Sequence, residues 1–468
     1  MILQDIIKDS GASILHGTPL TPVSSITSDS RKACPGCLFV AIKGTGIDGH
    51  DFIGQALEKG AVAVVSADRK GLAICACNFY GNPSHKLRLV GITGTNGKTT
   101  TVTLLYNLFR SLGYECGLLS TIANYVGKKR LETVNTTSDP ITTNSLLARM
   151  AEAGCEYCFM EVSSIGMEQD RVAGLKFEAG IFSNLTHDHL DYHKTFAEYL
   201  RCKKLFFDSL PAEAHAIINI DDKNGLVMVQ NCRASLVTYS CKKVADHSCR
   251  ILEESFEGML LKIDGTEVWT RLIGAHNASN ILAAYSTAMA LGASKDETLK
   301  AISTLQSATG RLENHRGPRD ISVIIDYAHT PDAMENVLNT LRDIAPDRQL
   351  VCLFGCGGDR DRSKRPEMAQ VAEKFADRIV VTSDNSRSER TEDIMEDIRK
   401  GLSAKGQAKS LFIADRREAI RTAILTATHG ATILLAGKGH ETYQILGNEK
   451  LHFDEREVID EIFKQIQE

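Results

Sequence analysis

The sequence predicts an α/β protein of three domains. The chain has 468 residues, and at roughly 100–200 residues per domain this length exceeds one compact core. Short apolar runs rich in β-branched residues alternate with longer stretches of helical periodicity, a pattern typical of parallel sheets covered by helices. The alternation restarts near residue 310. We therefore expect two separate parallel sheets and a smaller N-terminal unit.

The first predicted domain, residues 1–88, is the smaller α/β unit. Thr, Ser, Gly and Pro residues punctuate it, and Asn82, Pro83 and Ser84 stand just before a strong predicted strand at 87–93. Such residues favour turns and loops. We therefore place a domain boundary near residue 88.

The central domain, residues 89–310, is predicted to hold a P-loop ATPase-like, mononucleotide-binding sheet. The strand at 87–93 runs into a glycine-rich turn and then into a helix at 98–112, whose leucines recur at helical spacing. Further strands are expected at 157–162, 179–183 and 216–220, with a helix at 195–209.

The C-terminal domain, residues 311–468, is predicted to be a doubly wound, Rossmann-like sheet. Five strands separated by helical stretches are expected at 322–326, 350–354, 378–382, 410–413 and 432–435. The charged segment 310–318, bracketed by glycines, is typical of an interdomain linker.

Composition and charge exclude several classes of protein. The 54 basic and 59 acidic side chains give a net charge of −5, too mild for a nucleic-acid groove. No segment approaches the ~20 apolar residues that cross a bilayer, and the first residues lack the basic start of a signal peptide. Thirteen scattered cysteines fit a reducing compartment, and structural zinc at the two CxxC pairs is disfavoured. We expect a cytoplasmic protein without nucleic-acid or membrane partners.

The strongest motif is the glycine-rich turn after the first strong strand. Its glycines let backbone N–H groups face a polyphosphate at a helix N-terminus, while Lys98 reaches phosphate oxygens and the Thr99 hydroxyl can bind Mg²⁺. The match to the common phosphate-loop pattern is imperfect, because Ile92 stands where its first glycine is expected. The predicted ATP-binding residues of this segment are Gly94, Thr95, Asn96, Gly97, Lys98, Thr99 and Thr100.

Two further segments of the central domain carry candidate metal ligands. Glu161 follows a strand at the edge where doubly wound sheets bind ligands, although a solvated loop acid fits equally well. Residues 187–193 hold three histidines and two aspartates, which can bind Mg²⁺ or a transition metal. A polar loop with one capping aspartate remains the alternative there.

Three loops of the C-terminal domain are expected to bind an amino acid. Residues 355–362 and 383–387 each place arginine beside acids after a strand, and residues 436–441 surround a lysine with glycines. Guanidinium groups grip carboxylates and acids receive ammonium groups. Surface ion pairs around turns are the alternative for each loop taken alone.

Taken together, these segments resemble the Mur ligases, the ATP-dependent amide-forming enzymes of peptidoglycan precursor synthesis. The resemblance spans nearly the whole chain and is greatest to members that add a diamino acid to UDP-N-acetylmuramoyl-L-alanyl-D-glutamate. The motifs that carry it lie, in order, at 28–31, 94–100, 135–137, 161–164, 187–193, 310–311, 326–331, 357–360, 384–387 and 437–441.

The resemblance implies a role for each motif. Thr99, Glu161, His189 and Lys203 would surround two Mg²⁺ ions, with Lys203 carbamylated, and Lys98, Lys203, His189 and Glu161 would be catalytic. The UDP-muramoyl dipeptide would contact Ser28, Ser30, Asn135, Thr136, Thr137, Ser163, Gln169 and Arg171. Asn277, Arg311, Asp326 and His329 would complete the ATP site. The amino acid would contact Arg360, Asp384, Asn385, Ser386, Arg387, Gly437 and Glu441.

The implied reaction is a two-step ligation with ATP as co-substrate, carried out by a monomer. Members specific for meso-diaminopimelate usually carry Pro where this chain has Ser386, which loosens the turn. Arg387 is retained and can hold the distal carboxylate that L-lysine lacks. We therefore expect meso-diaminopimelate, with L-lysine as the alternative. Folylpolyglutamate synthetase, the D-alanyl-D-alanine-adding Mur ligase and a non-catalytic nucleotide switch are weaker alternatives.

Overall fold

The computed structural model describes the chain except residues 45, 134, 187–189 and 468, and leaves the side chains of residues 190, 191 and 467 undescribed. The predicted α/β class is confirmed. In the described part, three main sheets follow one another along the chain, each with its own hydrophobic core.

The N-terminal sheet has four strands among the described residues, in the order β1-β4-β3-β2. β1 is antiparallel to β4, and the other pairs are parallel. The strands are β1 (Ser13–His16), β2 (Ser25–Thr27), β3 (Cys37–Ile42) and β4 (Ala63–Ala67). The α-helices are α1 (Leu3–Ile7), α2 (Ile53–Glu58) and α3 (Arg69–Phe79), with 3₁₀ turns at Ser30–Lys32, Gly49–Phe52 and Pro83–His85.

The central sheet is a run of parallel strands with an antiparallel pair at each end, eleven strands in the described residues. Its order is β15-β14-β13-β12-β11-β10-β5-β9-β6-β7-β8, where the strands are β5 (Arg88–Thr93), β6 (Cys116–Leu119), β7 (Asn124–Val126), β8 (Lys129–Leu131), β9 (Tyr157–Glu161), β10 (Ala179–Phe182), β11 (His215–Asn219), β12 (Ser235–Ser240), β13 (His247–Ser255), β14 (Gly258–Ile263) and β15 (Thr266–Thr270).

Helices cover both faces of this sheet. Alternate residues of the central strand β5 enter different cores: Val90 and Ile92 pack with α4 and α10 on one face, and Leu89 packs with α5 and α8 on the other, as period-two side chains must. The helices are α4 (Lys98–Ser111), α5 (Pro140–Glu152), α6 (Ser164–Glu168), α7 (Leu190–His193), α8 (Phe196–Asp208), α9 (Gly225–Met228), α10 (Ala275–Ala290) and α11 (Lys295–Ile302).

The C-terminal sheet has the order β16-β17-β21-β18-β19-β20, with helices on both faces. Its strands are β16 (Glu313–Arg316), β17 (Ser322–Asp326), β18 (Leu350–Phe354), β19 (Arg378–Val381), β20 (Ser410–Phe412) and β21 (Thr432–Ala436), followed by a hairpin of β22 (Tyr443–Leu446) and β23 (Glu449–His452). The helices are α12 (Pro331–Ile344), α13 (Lys364–Phe375), α14 (Thr391–Arg399), α15 (Ala404–Ala408), α16 (Arg416–Thr426) and α17 (Glu455–Gln467), with a 3₁₀ turn at Pro318–Asp320.

One expectation about the segment between the last two sheets is wrong. Residues 310–318 were expected to form a linker, but they contain β16, which pairs antiparallel with β17. The strand gains its regular structure from backbone pairing at a sheet edge, since its own residues are polar.

Among the helices of the described residues, none is both long and apolar enough to cross a lipid bilayer.

Candidate functional site

The phosphate loop lies at the end of β5, near the middle of the central sheet, and leads directly into α4. Gly97 has φ +87°, and a Cβ there would lie 2.4 Å from Asn280 Oδ1. A Cβ on Gly94 would lie 1.9 Å from Ser183 Oγ. Both glycines are therefore required by the backbone conformation or by close packing.

A neighbouring loop holds the phosphate loop in shape. Asn96 N–H donates to Asn184 Oδ1 at 2.9 Å, and Asn184 Nδ2 and Ser183 Oγ donate to the Asn96 carbonyl at 3.1 and 2.7 Å. These bonds join the carboxyl ends of β5 and β10, which are adjacent strands. The loop is thus preorganised by the sheet beneath it.

Two lysines meet at the same carbonyl of the phosphate loop. Lys98 Nζ donates to the Gly94 carbonyl at 2.9 Å, and Lys203 Nζ donates to it at 2.7 Å. Lys203 comes from α8, is 1% exposed and lies 4.6 Å from the centre of the Tyr199 ring. The structure thus brings together two of the predicted catalytic residues.

Glu161 and Thr99 are direct neighbours, as expected for ligands of one metal ion. Glu161 Oε1 accepts from Thr99 Oγ1 at 2.9 Å and from Thr121 N–H at 2.8 Å, and its Oε2 accepts from Thr121 Oγ1 at 3.1 Å. A buried carboxylate beside a hydroxyl offers the oxygen ligands that Mg²⁺ prefers.

The remaining predicted metal ligand, His189, lies outside the described residues, as do His187 and Asp188. His193 is described, and its Nε2 lies 2.9 Å from Ser164 Oγ. In the part of the chain that is described, no three His, Cys, Asp or Glu side chains lie close enough together to hold a metal ion. Of the four predicted metal ligands, Thr99, Glu161 and Lys203 are thus described.

Several residues expected to bind the UDP-muramoyl dipeptide form one network beside Glu161. Thr137 Oγ1 donates to the Glu161 carbonyl at 2.9 Å and accepts from Ser163 N–H at 3.0 Å. Arg171 donates to the Thr137 carbonyl at 2.7 Å and to Gln169 Oε1. This network places Thr137, Ser163, Gln169 and Arg171 beside the carboxyl end of β9.

The other residues of that group are less closely connected. Thr136 Oγ1 accepts from Thr121 Oγ1 at 3.1 Å, so it borders the same network, and Asn135 is exposed. Ser30 donates to Gln55 Oε1 at 2.6 Å within the N-terminal unit. Among the described contacts, none joins Ser28 or Ser30 to the network beside Glu161.

A cavity of about 380 Å³ lies between the central and C-terminal sheets. Asn277, one of the predicted nucleotide residues, lines it together with Phe256, Ile273, Ser307, Leu312 and Asn314. Asn277 Nδ2 donates to the Ile273 carbonyl at 2.8 Å, which fixes the amide at the wall of the cavity.

The other predicted nucleotide residues gather around Tyr327. The Arg311 guanidinium lies 4.8 Å from the centre of the Tyr327 ring, and His329 Nδ1 donates to the Tyr327 carbonyl at 2.9 Å. Asp326 accepts from the N–H groups of Leu312 and Ala328, each at 2.8 Å. Burial raises the pKa of Asp326, and Arg311 opposes that rise.

The predicted amino-acid residues of the C-terminal sheet surround a fully buried ammonium group. Lys438 Nζ lies 3.6 Å from Asp384 Oδ1 and 3.3 Å from both Glu441 Oε2 and Asn385 Oδ1. Burial raises the pKa of Glu441, while Lys438 lowers it. A Cβ on Gly437 would lie 2.8 Å from Asp384 Oδ2, so this position admits no side chain without movement.

Two arginines flank this cluster. A Cβ on Gly357 would lie 3.1 Å from Arg387 Nη1 and 3.6 Å from Arg360 Cγ. Arg387 has φ +51°, and its guanidinium donates to the Gly358 carbonyl at 2.8 Å. The neighbouring Ser386 is buried. Acids and guanidinium groups thus lie within one loop cluster, as expected for loops that bind the ammonium and carboxylate groups of an amino acid.

The hairpin β22–β23 closes over these loops. Ile445 N–H donates to Asn385 Oδ1 at 2.9 Å, and Arg387 N–H donates to the Ile445 carbonyl at 3.3 Å. Gln444 Nε2 donates to Ser383 Oγ at 2.8 Å. The hairpin therefore fixes the loop 383–387, whose Arg387 is expected to hold the distal carboxylate of the amino acid.

Sequence reasoning missed several residues of these clusters. Thr121 gives Glu161 two hydrogen bonds, and Tyr199 lies against Lys203, yet neither stands in a recognisable motif. Lys438 stands between two glycines of a predicted ligand loop. The flanking glycines were the available sequence signal for Lys438. The burial of its ammonium group among three polar partners could not be predicted from them.

Known protein families match the chain over almost all of its length. Residues 22–88 match "Mur ligase family, catalytic domain", residues 92–288 match "Mur ligase middle domain", and residues 310–439 match "Mur ligase, glutamate ligase domain".

Individual proteins match over the full chain as well. A UDP-N-acetylmuramoyl-L-alanyl-D-glutamate--2,6-diaminopimelate ligase of Phocaeicola vulgatus is 49% identical, and one of Parabacteroides distasonis is 48% identical, each over 99% of both chains. A solved structure of a protein with the same name is 31% identical, covers 100% of this chain and 99% of its own, and has a TM-score of 0.70.

Proposed function

The chain belongs to the Mur ligase family, and on this basis we propose that it joins meso-diaminopimelate to the D-glutamate of UDP-N-acetylmuramoyl-L-alanyl-D-glutamate. It is an ATP-dependent C–N ligase of peptidoglycan precursor synthesis. The observation that supports this substrate is the loop cluster that combines Asp384 and Glu441 with Arg360 and Arg387. A diamino acid with two carboxylates complements both charges.

ATP binding is assigned to the phosphate loop and the cavity beside it. The N–H groups at the start of α4 and the Lys98 ammonium receive the phosphates, while Asn277, Arg311, Asp326 and His329 surround the nucleoside. The remaining loop residues Gly94, Thr95, Asn96, Gly97 and Thr100 shape the cradle. Thr99 and Glu161, joined by their 2.9 Å hydrogen bond, would hold Mg²⁺, which when bound would offset charge on the transferring phosphoryl group.

Lys203 is proposed to act as a carbamate. Its ammonium group first loses one proton, and the neutral amine then adds CO₂ and loses a second, so a cation beside Lys98 becomes an anion with two oxygen ligands. This conversion removes the repulsion between two ammonium groups that share the Gly94 carbonyl. With His189 it would complete the ligand set for two Mg²⁺ ions, alongside Thr99 and Glu161.

The proposed reaction has two steps. The D-glutamate carboxylate attacks the γ-phosphorus of ATP, which releases ADP and leaves an acyl phosphate, while Lys98 stabilises the charge that develops. The amine of the diamino acid then attacks the acyl carbon, loses a proton, and phosphate departs as the amide forms. The networks at Thr137 and Arg171 orient the first substrate and the cluster around Lys438 orients the second, which makes the attack effectively unimolecular.

Three chain segments divide these tasks. We assign residues 1–88 with Ser28 and Ser30 to the UDP-sugar, residues 89–310 to ATP, and residues 311–468 to the amino acid. Because one chain supplies all three clusters, we propose that it works as a monomer in the cytoplasm, without nucleic-acid or membrane partners.

A direct assay tests the proposal. The protein is incubated with ATP, Mg²⁺, UDP-N-acetylmuramoyl-L-alanyl-D-glutamate and either meso-diaminopimelate or L-lysine, and phosphate release is followed. We expect stimulation by meso-diaminopimelate. Stimulation by L-lysine instead would change the assigned amino acid, and no stimulation by either would refute the ligase assignment.

A further inference from the structure

One carboxylate from the C-terminal unit lies against the phosphate loop of the central unit. Asp332 stands in the first turn of α12, and its Oδ2 accepts hydrogen bonds from Asn96 Nδ2 at 2.8 Å and Thr186 Oγ1 at 3.4 Å. The two donors are 236 and 146 residues distant in sequence. The contact therefore joins the C-terminal unit to the central unit.

The start of α12 does not need this contact. Thr330 caps the helix, since its Oγ1 accepts from Ala333 N–H at 3.2 Å, and Pro331 occupies the first helical position, where its missing N–H has no consequence. An acid in the first turn is favourable beside the helix dipole, but that preference does not direct the carboxylate toward Asn96.

Asp332 is partly withdrawn from water, and the two donors compensate for this. Burial raises the pKa of Asp332, whereas the hydrogen bonds from Asn96 and Thr186 favour the ionised form. A carboxylate is tolerated in such a place only when hydrogen bonds replace the lost water. Asn336 of the same helix adds a bond to Oδ2 at 3.4 Å, so the central unit supplies two of its three described donors.

Both donors belong to loops of the catalytic centre. Asn96 lies within the phosphate loop itself. Thr186 is tied to that loop by two bonds, because its N–H donates to Thr95 Oγ1 at 3.0 Å and its carbonyl accepts from the same hydroxyl at 3.2 Å. Thr186 also directly precedes the segment 187–193, in which we expect a metal ligand.

We propose that Asp332 is a positioning residue through which docking of the C-terminal unit fixes the Asn96 and Thr186 side chains and adds to the bonds that hold the phosphate loop. The consequence rests on the proposed function: the amine held by the C-terminal sheet must meet an acyl phosphate formed on the central sheet. With Asp332 in contact, the two loops are held in place when the second substrate is near. Nucleotide bound without docking is held by a looser loop.

The test compares Asp332→Ala and Asp332→Asn, each in the native and the Asn96→Ala background. Glu335→Gln is the matched control, since Glu335 lies on the same helix, pairs with exposed Lys374, and forms no described hydrogen bond to the phosphate loop. We expect Asp332→Ala to lower kcat about tenfold. Asp332→Asn keeps an acceptor oxygen and should stay within about twofold of the native enzyme. In the Asn96→Ala background the cost of Asp332→Ala should largely disappear.

Hydrogen exchange supplies a readout that does not require ligation. Asp332→Ala should speed amide exchange in the segments 94–97 and 183–186, and Glu335→Gln should not. Equal kinetic costs in both backgrounds, an Asn variant as impaired as the Ala variant, or unchanged exchange at 94–97 would each overturn the proposal. If the native enzyme ligates no amino acid, the proposed function fails, while the exchange result still decides the role of Asp332.

Discussion

At Gly94, two ammonium groups share one carbonyl oxygen, one from Lys98 and one from the buried Lys203. Like charges so placed repel, and burial leaves little water to screen them. Glu161 is different, because three donors from Thr99 and Thr121 surround its carboxylate. Lys203 is thus the buried lysine of this site, and its conversion to a carbamate would reverse the sign of its charge.

Replacing Lys203 tests the proposal that it acts as a carbamate. We expect Lys203→Ala to lose most ligase activity and to regain part of it when short carboxylic acids are added, because a free carboxylate can replace the carbamate. Lys204→Ala is the matched control, since Lys204 pairs with Asp208 on the same helix and should retain activity. Phosphate release with and without acetate measures both. Full activity of Lys203→Ala would contradict the assigned role.

Arg387 is expected to select the amino acid. Arg387→Ala should raise the KM for meso-diaminopimelate at least about tenfold, since a hydrogen bond to a charged group contributes about 1.5–3 kcal/mol, and should leave the KM for ATP almost unchanged. Exposed Arg390, which lies 3.8 Å from Glu392, provides the control in Arg390→Ala. Steady-state kinetics with each substrate varied would decide the matter, and equal rises in both KM values would refute selection by Arg387.

Among the elements, β16 shows how context creates a strand from polar residues. Its Glu313 carboxylate accepts from Arg456 at the start of α17 at 3.0 Å and from Gly310 N–H at 2.9 Å. Burial alone would raise the pKa of Glu313, but hydrogen bonds from His315, Arg456 and Gly310 outweigh it and hold the pKa at about 2. One side chain thus ties the edge strand to the last helix.

This clamp predicts a pH-dependent stability. The pKa of Glu313 in the folded protein, about 2, lies below its ordinary value of 4.5, so its contribution is present above about pH 4.5 and is lost as the pH falls toward 2. We expect Glu313→Gln to lower the thermal midpoint at pH 7 and to lower it much less near pH 2.5, where most of the contribution has been lost. A difference that is independent of pH would contradict this account.

The parts of the fold that could be predicted are those with local signals. β5 and β21 are continuous apolar runs between turn residues, and α4 has leucines at helical spacing. The antiparallel strands at 247–270 were not predicted, because exposed and buried residues mix along them. β16 owes its structure to pairing with β17, which no local pattern reveals.

The candidate site divides in the same way. The phosphate loop could be predicted because loop and helix are contiguous in sequence. Thr121 lies 40 residues from Glu161, and Asp332 lies 236 residues from Asn96, so their contacts depend on strand order and on packing between units. Single-sequence reasoning finds such partners only where a motif marks them, and neither residue stands in one.

Across the whole molecule, the three proposed substrate sites are supplied by different sheets and must meet. The junction between the central and C-terminal units is tight: Gly310 has φ +69°, and a Cβ there would lie 2.2 Å from the Gly439 carbonyl carbon and from His440 N. The chain thus passes directly under the loop that carries Gly437 and Glu441.

Substitution at the junction should therefore impair folding and, in the folded protein, ligation. Gly310→Ala and Gly292→Ala both force alanine into a left-handed conformation, which costs roughly 1–2 kcal/mol, but Gly292 has φ +86° and open space around it. We expect Gly310→Ala to lower the thermal midpoint more than Gly292→Ala, because backbone atoms must move to admit its Cβ, and to lower kcat even at a temperature where both variants are folded. Equal kcat values for the two variants would show that the junction does not control the reaction.

The hairpin β22–β23 has a consequence for protein engineering. The Ile445 N–H donates to the Asn385 side chain, and the Arg387 N–H donates to the Ile445 carbonyl. The loop 383–388 and the hairpin are therefore best exchanged together. In a chimaera that receives only residues 383–388 from a relative, the new loop would face a hairpin from a different protein. If these loops bind the amino acid as we propose, we expect transfer of amino-acid preference between relatives to require residues 383–388 and 437–452 together.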